Sequence, residues 1–152
     1  MKKISLFILS VCLACYIQAQ DTASFHLRFN HIALSVKDIN RAVAFYKQVL
    51  NLPEITNRTK TEGIRWFSLG ENKELHLISI VKEPVTINKA VHVALTTTNF
   101  DAFVKTLERE HIEYSDWPGT VNKINIRADG VKQVFFRDPD GYWIEVNSVA
   151  QQ

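Results

Sequence analysis

The chain repeats itself at a spacing of about sixty residues, and that repeat limits its fold more than any other feature. His31-Ile32-Ala33-Leu34 returns as His92-Val93-Ala94-Leu95, 61 residues later. Each run alternates in character and predicts a strand. A helix start follows each. Asp38 can cap a helix carrying Ile39, Val43, Tyr46 and Leu50, and Asn99 one carrying Phe100, Phe103, Val104 and Leu107. Asn51 suits a left-handed stop after the first helix, and Pro53 prevents continuation. The halves also end alike: Leu75-His76-Leu77-Ile78-Ser79-Ile80 matches Ile144-Glu145-Val146-Asn147-Ser148-Val149 at a shift of 69 residues. The extra residues of the second half belong in Ser115 to Asn122, which holds Pro118-Gly119. Gly63 to Leu69 and Val131 to Arg137 predict another strand pair, with turns at Gly70-Glu71-Asn72 and Asp138-Pro139-Asp140-Gly141. The repeating unit is therefore strand, helix, then three strands, which makes the chain α+β.

The first nineteen residues stand outside this pattern. Met1-Lys2-Lys3 precedes an apolar run from Ile4 to Ile17, and Ala19 sits before the first acid, Asp21. A basic start, a short apolar stretch and a small residue predict a signal peptide over 1–19, hence export to a periplasmic or external compartment. The run is short for a permanent membrane helix. Ala14-Cys15 offers a second reading, lipidation at Cys15, which would tether the protein to a membrane. Cleavage after Ala19 removes both cysteines, so the mature domain has no thiol ligand, thiol nucleophile or disulfide. Lys2 and Lys3 leave too, and eighteen basic side chains become sixteen against sixteen acidic. No basic stretch remains to suggest nucleic acid or an anionic membrane as partner.

Five histidines remain in the mature chain, and three stand at repeat-equivalent strand positions. Strand alternation decides where they point. Ile32, Leu34 and Val36 suit the helix side of the first strand, leaving His31, Ala33 and Ser35 opposite. In the second half Val93 and Leu95 pack on the helix, leaving His92, Ala94 and Thr96. Leu75, Leu77, Ile144 and Val146 likewise turn His76 and Glu145 away from the helices. If each half makes a curved sheet with its helix outside, His31, His76, His92 and Glu145 face into a hollow, where a divalent metal would explain them. Imidazole and carboxylate donors suit zinc, nickel, iron, manganese or cobalt. Five- or six-coordination would leave an open position for substrate, whereas a tetrahedral ion bound by all four would be structural. Arg65, Trp66, Trp143 and Asn147 are candidate substrate contacts.

Two runs resemble a known family. His31-Ile32-Ala33-Leu34-Ser35-Val36-Lys37-Asp38 with Phe45-Tyr46 and Leu50 resembles the opening module of the vicinal-oxygen-chelate superfamily. Phe136-Arg137-Asp138-Pro139-Asp140-Gly141-Tyr142-Trp143-Ile144-Glu145 resembles its closing motif. The resemblance covers residues 27–149, with one module at about 27–81 and another at about 90–149. It implies two βαβββ modules forming a cup-shaped mixed sheet with helices outside, as in glyoxalase I, extradiol dioxygenases and bleomycin-resistance proteins. It also implies a metal at the four positions above, and a homodimer in which modules of two chains can share one metal. The activity it implies is a metal-dependent lyase or isomerase similar to lactoylglutathione lyase, with Glu145 moving a proton and the metal stabilising an enediolate. Glyoxalase I usually has Glu where this chain has His76, so the two-carboxylate mechanism does not transfer directly. Two other readings stay open. One is an extradiol-type iron(II) dioxygenase built on His31, His92 and Glu145. The other is non-catalytic sequestration of a small ligand.

Overall fold

The computed structural model describes residues 28–150, so the expected signal segment and Cys15 lie outside the described residues. The first module runs β1 (His31–Ser35), α1 (Ile39–Gln48), β2 (Glu54–Ile55), β3 (Ile64–Gly70) and β4 (Lys73–Ile78). The second runs β5 (His92–Thr96), α2 (Phe100–Arg109), β6 (Tyr114–Ser115), β7 (Asn125–Ile126), β8 (Lys132–Arg137) and β9 (Trp143–Asn147). Sheet one has the order β1-β4-β3-β2, and sheet two the order β5-β9-β8-β6 with β7 also on β8. In each, the opening strand pairs in parallel with the closing one, and the other pairs are antiparallel. This is the expected pair of βαβββ units. Among the described residues, no helix is long and apolar enough to cross a membrane.

The two helices start differently. The Asp38 carboxylate accepts the backbone N–H groups of Asn40 and Arg41 at 2.9 and 3.1 Å, satisfying two otherwise free donors of the first turn. Asn99 holds the same position before α2, but its side chain makes no cap bond. Its own N–H is instead taken by Thr97 Oγ1 at 3.1 Å. Asn51 adopts φ 50°, the left-handed geometry expected after α1.

Both modules bury their helix-side faces in one core. Leu34, Leu75, Leu77 and Phe67 from sheet one join Val134, Phe136, Ile144 and Val146 from sheet two, with Ala42, Tyr46, Phe100, Val104 and Leu107 from the helices. Phe45 of α1 and Phe103 of α2 both pack on Phe136, with ring centroids 6.4 and 5.8 Å away. Ile32 and Leu34 meet Val93, Leu95 and Ile144 around one small apolar gap.

A buried polar contact joins the two modules within this core. The Tyr46 hydroxyl donates to Asp138 Oδ2 at 2.8 Å, while Asp138 Oδ1 accepts the N–H groups of Asp140 and Tyr142 at 2.9 and 2.8 Å. Burial pushes both the Tyr46 phenol and the Asp138 carboxyl above their ordinary values. Tyr46→Phe should therefore lower stability by about 1.5–3 kcal/mol, the range for a buried hydrogen bond to a charged group. Urea denaturation at neutral pH measures it, and an unchanged midpoint would remove this bond from the account of how the modules lock.

This packing decides where the histidine faces go. The apolar faces of both sheets turn into a shared core, and each opposite face turns away from it. Among the described residues, the four candidate ligands do not gather around one point. Strand parity defines a face relative to its own helix, and here the helix sides of both modules are packed on each other.

Candidate metal centre

Sheet register shows the repeat directly. Ala33 pairs with His76 in sheet one, and Ala94 with Glu145 in sheet two. The small side chain at each place leaves room over the residue beside it. On β3 and β8, Trp66 and Phe135 hold matching positions across from His76 and Glu145. Each outward face thus carries a histidine at the start of its first strand, a candidate ligand on its last strand and an aromatic ring beside that.

The face of sheet two is the better ordered. Glu145 is buried at 6 % exposure, and its Oε1 accepts Gln133 Nε2 at 2.7 Å and Asn147 Nδ2 at 2.8 Å. Gln133 must present its amide this way, because its Oε1 accepts Asn125 Nδ2 at 2.8 Å. That leaves Oε2, which lies 3.3 Å from His92 Nε2. The other ring nitrogen of His92 lies 3.0 Å from the Lys89 carbonyl, which only accepts, so Nδ1 carries a proton. In the neutral ring Nε2 then keeps its lone pair. Nε2 and Oε2 are then both free to accept, and a metal ion could take a lone pair from each. Two donors bound to one zinc at about 2.0–2.2 Å and roughly tetrahedral or octahedral angles lie about 3 Å apart. The pair fits a metal.

The face of sheet one is arranged differently. Arg58, Trp66, His76 and His31 form one stack: the guanidinium lies 4.6 Å over the indole, the indole 4.1 Å from the His76 ring, and that ring 4.4 Å from His31. Glu74, across from His31 on β4, accepts His76 Nε2 at 2.8 Å and Arg58 at 2.7 Å. Those two partners hold its carboxyl below the ordinary glutamate range. His31 Nδ1 is bonded to Asn30 Oδ1 at 2.7 Å, so its Nε2 is the free acceptor on this exposed ring. An imidazole lone pair lies in the ring plane. With His31 and His76 only 16° from parallel, both cannot aim at one ion between them. His31 keeps Nε2 as its acceptor nitrogen, and His76, whose Nε2 is engaged by Glu74, keeps Nδ1.

The four predicted ligands therefore fall into two pairs, His92 with Glu145 and His31 with His76. Among the described residues, no three His, Cys, Asp or Glu side chains stand close enough together to hold a metal ion. Of the predicted substrate contacts, Trp66 lies on the face of sheet one, while Trp143 and Asn147 share the face of Glu145. Trp143 is covered by Arg137 at 4.4 Å. Arg65 lies elsewhere: it shares its face of β3 with Phe67 and pairs with Glu54, directed away from His76. Gln133, Asn125, Glu74 and Lys89 are not singled out by the sequence pattern. Gln133 and Glu74 have the right strand parity, but neither has a like residue at its repeat-equivalent position, Ile64 or Trp143.

Residues 28–146 match the family model described as Glyoxalase/Bleomycin resistance protein/Dioxygenase superfamily. YwbC of Bacillus subtilis (strain 168) is similar at 28 % identity over 124 residues, covering 78 % of this chain and 94 % of that protein. The metallothiol transferase FosB of Staphylococcus saprophyticus is 28 % identical over 128 residues, covering 78 % of this chain and 75 % of its own. Among solved structures, the oxidase ChaP-H2 superposes with a TM-score of 0.68 at 18 % identity, over 82 % of this chain and 95 % of its own. At that identity the likeness is one of fold.

Proposed function

We propose that this chain, which belongs to the Glyoxalase/Bleomycin resistance protein/Dioxygenase superfamily, is a metal-dependent enzyme whose metal is held by His92 and Glu145 of one copy and His31 of a second. The observation that carries this reading is the 3.3 Å approach of His92 Nε2 to Glu145 Oε2, with the remaining polar atoms of both side chains already bonded. Zinc, nickel, iron, manganese and cobalt all suit the donors. A bound metal supplies Lewis-acid polarisation of substrate oxygens.

The chain's own residues do the rest. Gln133 and Asn147 hold the Glu145 carboxylate in place, so that Oε2 can take a proton from one carbon and return it to its neighbour. Phe135, Trp117 and Trp143 wall the face and limit water. On the facing module, Glu74 fixes His76, and the His76 ring in turn steadies His31. The reaction is of lyase or isomerase type, on a small oxygen-rich substrate such as the thiol adduct of a 2-oxoaldehyde. The FosB relatives, metallothiol transferases by name, support a metal and a thiol in the reaction. We read residues 1–19 as an export signal, which favours a thiol other than cytoplasmic glutathione.

A second reading is favoured by one feature. With His76 Nε2 turned to Glu74, a site formed by His31, His92 and Glu145 alone would have two histidines and one carboxylate, which is the donor set of iron(II) oxygenases. Elemental analysis of gently purified protein, with two assays, separates the readings. Nickel, zinc, manganese or cobalt with anaerobic conversion of a hemithioacetal is the expected result. Iron with oxygen uptake on catechols would replace it by the dioxygenase. Ligand binding without any metal would leave sequestration as the function.

A further inference from the structure

The carbonyl that holds the back of His92 belongs to Lys89, and the Lys89 side chain is itself tied down. The segment entering β5 is a tight turn, with the Val91 N–H on the Asn88 carbonyl at 3.0 Å. From this turn the Lys89 ammonium reaches the end of β6 and the two residues that follow it. Its Nζ meets Ser115 Oγ at 3.1 Å, the Trp117 carbonyl at 3.0 Å and the Asp116 carbonyl at 2.5 Å. The same nitrogen lies over three aromatic rings: Phe135 at 4.6 Å, Trp143 at 5.0 Å and Trp117 at 5.6 Å.

Three N–H donors meet three acceptors, so the ammonium has no donor left for a substrate anion. Its surroundings are those of a fixed strut. The aromatic faces offset part of the cost of removing a charge from water. What the strut fixes is the position of the Lys89 backbone, three residues before His92.

We propose that Lys89 is a positioning residue for His92. Its ammonium pins the entry to β5 against the loop after β6, and the carbonyl held there keeps the ring proton on Nδ1, leaving Nε2 facing Glu145. Partners behind a metal-binding histidine commonly change metal affinity by about 10- to 100-fold. The inference rests on the metal-centre reading for its consequence, but the ring tautomer exists without metal.

The test uses the full chain and its Lys89→Met and Lys89→Arg variants. Methionine keeps the apolar stem but loses all three hydrogen bonds, whereas arginine can still donate to the carbonyls and stack on the rings. Long-range ¹H–¹⁵N spectra of the metal-free protein, with the His92 signals identified by loss in His92→Gln, report the tautomer. Wild type and Lys89→Arg should show a protonated Nδ1, while Lys89→Met should show both tautomers. Zinc titration against a chromophoric chelator should show at least about tenfold weaker binding in Lys89→Met at unchanged circular dichroism. A Lys89→Met protein that keeps the wild-type tautomer overturns the proposal. Wild type that takes no zinc would instead overturn the metal-centre reading, and the tautomer would still decide the role of Lys89.

Discussion

Glu145→Gln should reduce metal-dependent turnover by at least about 10²-fold, the low end for loss of a positioned acid or base, while leaving the metal-free fold intact. The expectation follows from the bonds around this carboxylate. Oε1 accepts two amide N–H groups, and a glutamine carbonyl would accept the same two. The glutamine NH₂ would then replace Oε2 and donate to His92 Nε2, now 3.3 Å from the carboxylate. Every polar atom stays satisfied, and a buried charge disappears. Because His92 is neutral, no partner charge is left stranded, and the metal-free fold should not lose stability. The same hydrogen bond, however, covers the lone pair a metal needs, and the exchange removes the negative charge that would balance the ion.

Thermal melts with and without zinc show both sides of this result. Metal at a hundredfold excess over its dissociation constant stabilises a folded protein by about 2.7 kcal/mol. Wild type should show that upward shift, and Glu145→Gln should show none while melting at or above the metal-free wild type. A variant that still responds to zinc would place the metal elsewhere. One that melts far lower would show that the carboxylate serves the fold.

Much of this site is legible in the residues themselves. Alternation alone puts His31 and His76 on one face and His92 and Glu145 on another, each away from its own helix. The register agrees down to the alanines, Ala33 beside His76 and Ala94 beside Glu145. The packing of the modules is not legible this way, because periodicity relates a strand only to the element it covers. Phe45 and Phe103 fit a helix-to-strand contact in either module, yet both meet Phe136. On β3, Arg65, Trp66 and Phe67 are three bulky neighbours with no polar alternation, so the direction of Arg65 depends on Glu54, a partner remote in sequence. Repeat comparison finds residues that recur. Glu74 stands where the second half has Trp143, Gln133 where the first has Ile64, and Lys89 in a connection with no pattern. Those asymmetric residues differentiate two similar faces, and no symmetry argument reaches them.

If the metal joins two copies, two inactive variants should restore each other. His31→Ala removes the ligand given to the partner, and Glu145→Gln disables the pair that receives it. Either homodimer has two defective sites. In a mixed dimer, the chain carrying Glu145→Gln still offers His31, and the chain carrying His31→Ala still offers His92 and Glu145. One of its two sites is complete and the other lacks both contributions. Random exchange at equal amounts gives about half mixed dimers, so about a quarter of wild-type activity and metal content should return. The variants are suited to mixing, because the changed side chains sit on outward faces and leave the shared core untouched. Denaturing each alone, combining them and refolding, beside each variant refolded by itself, measures the effect. Recovery near a quarter requires the ligands to come from different chains. Absence of recovery in mixtures shown to contain mixed dimers would confine the metal to one chain, and the two sheets would then have to move for His31 to reach His92.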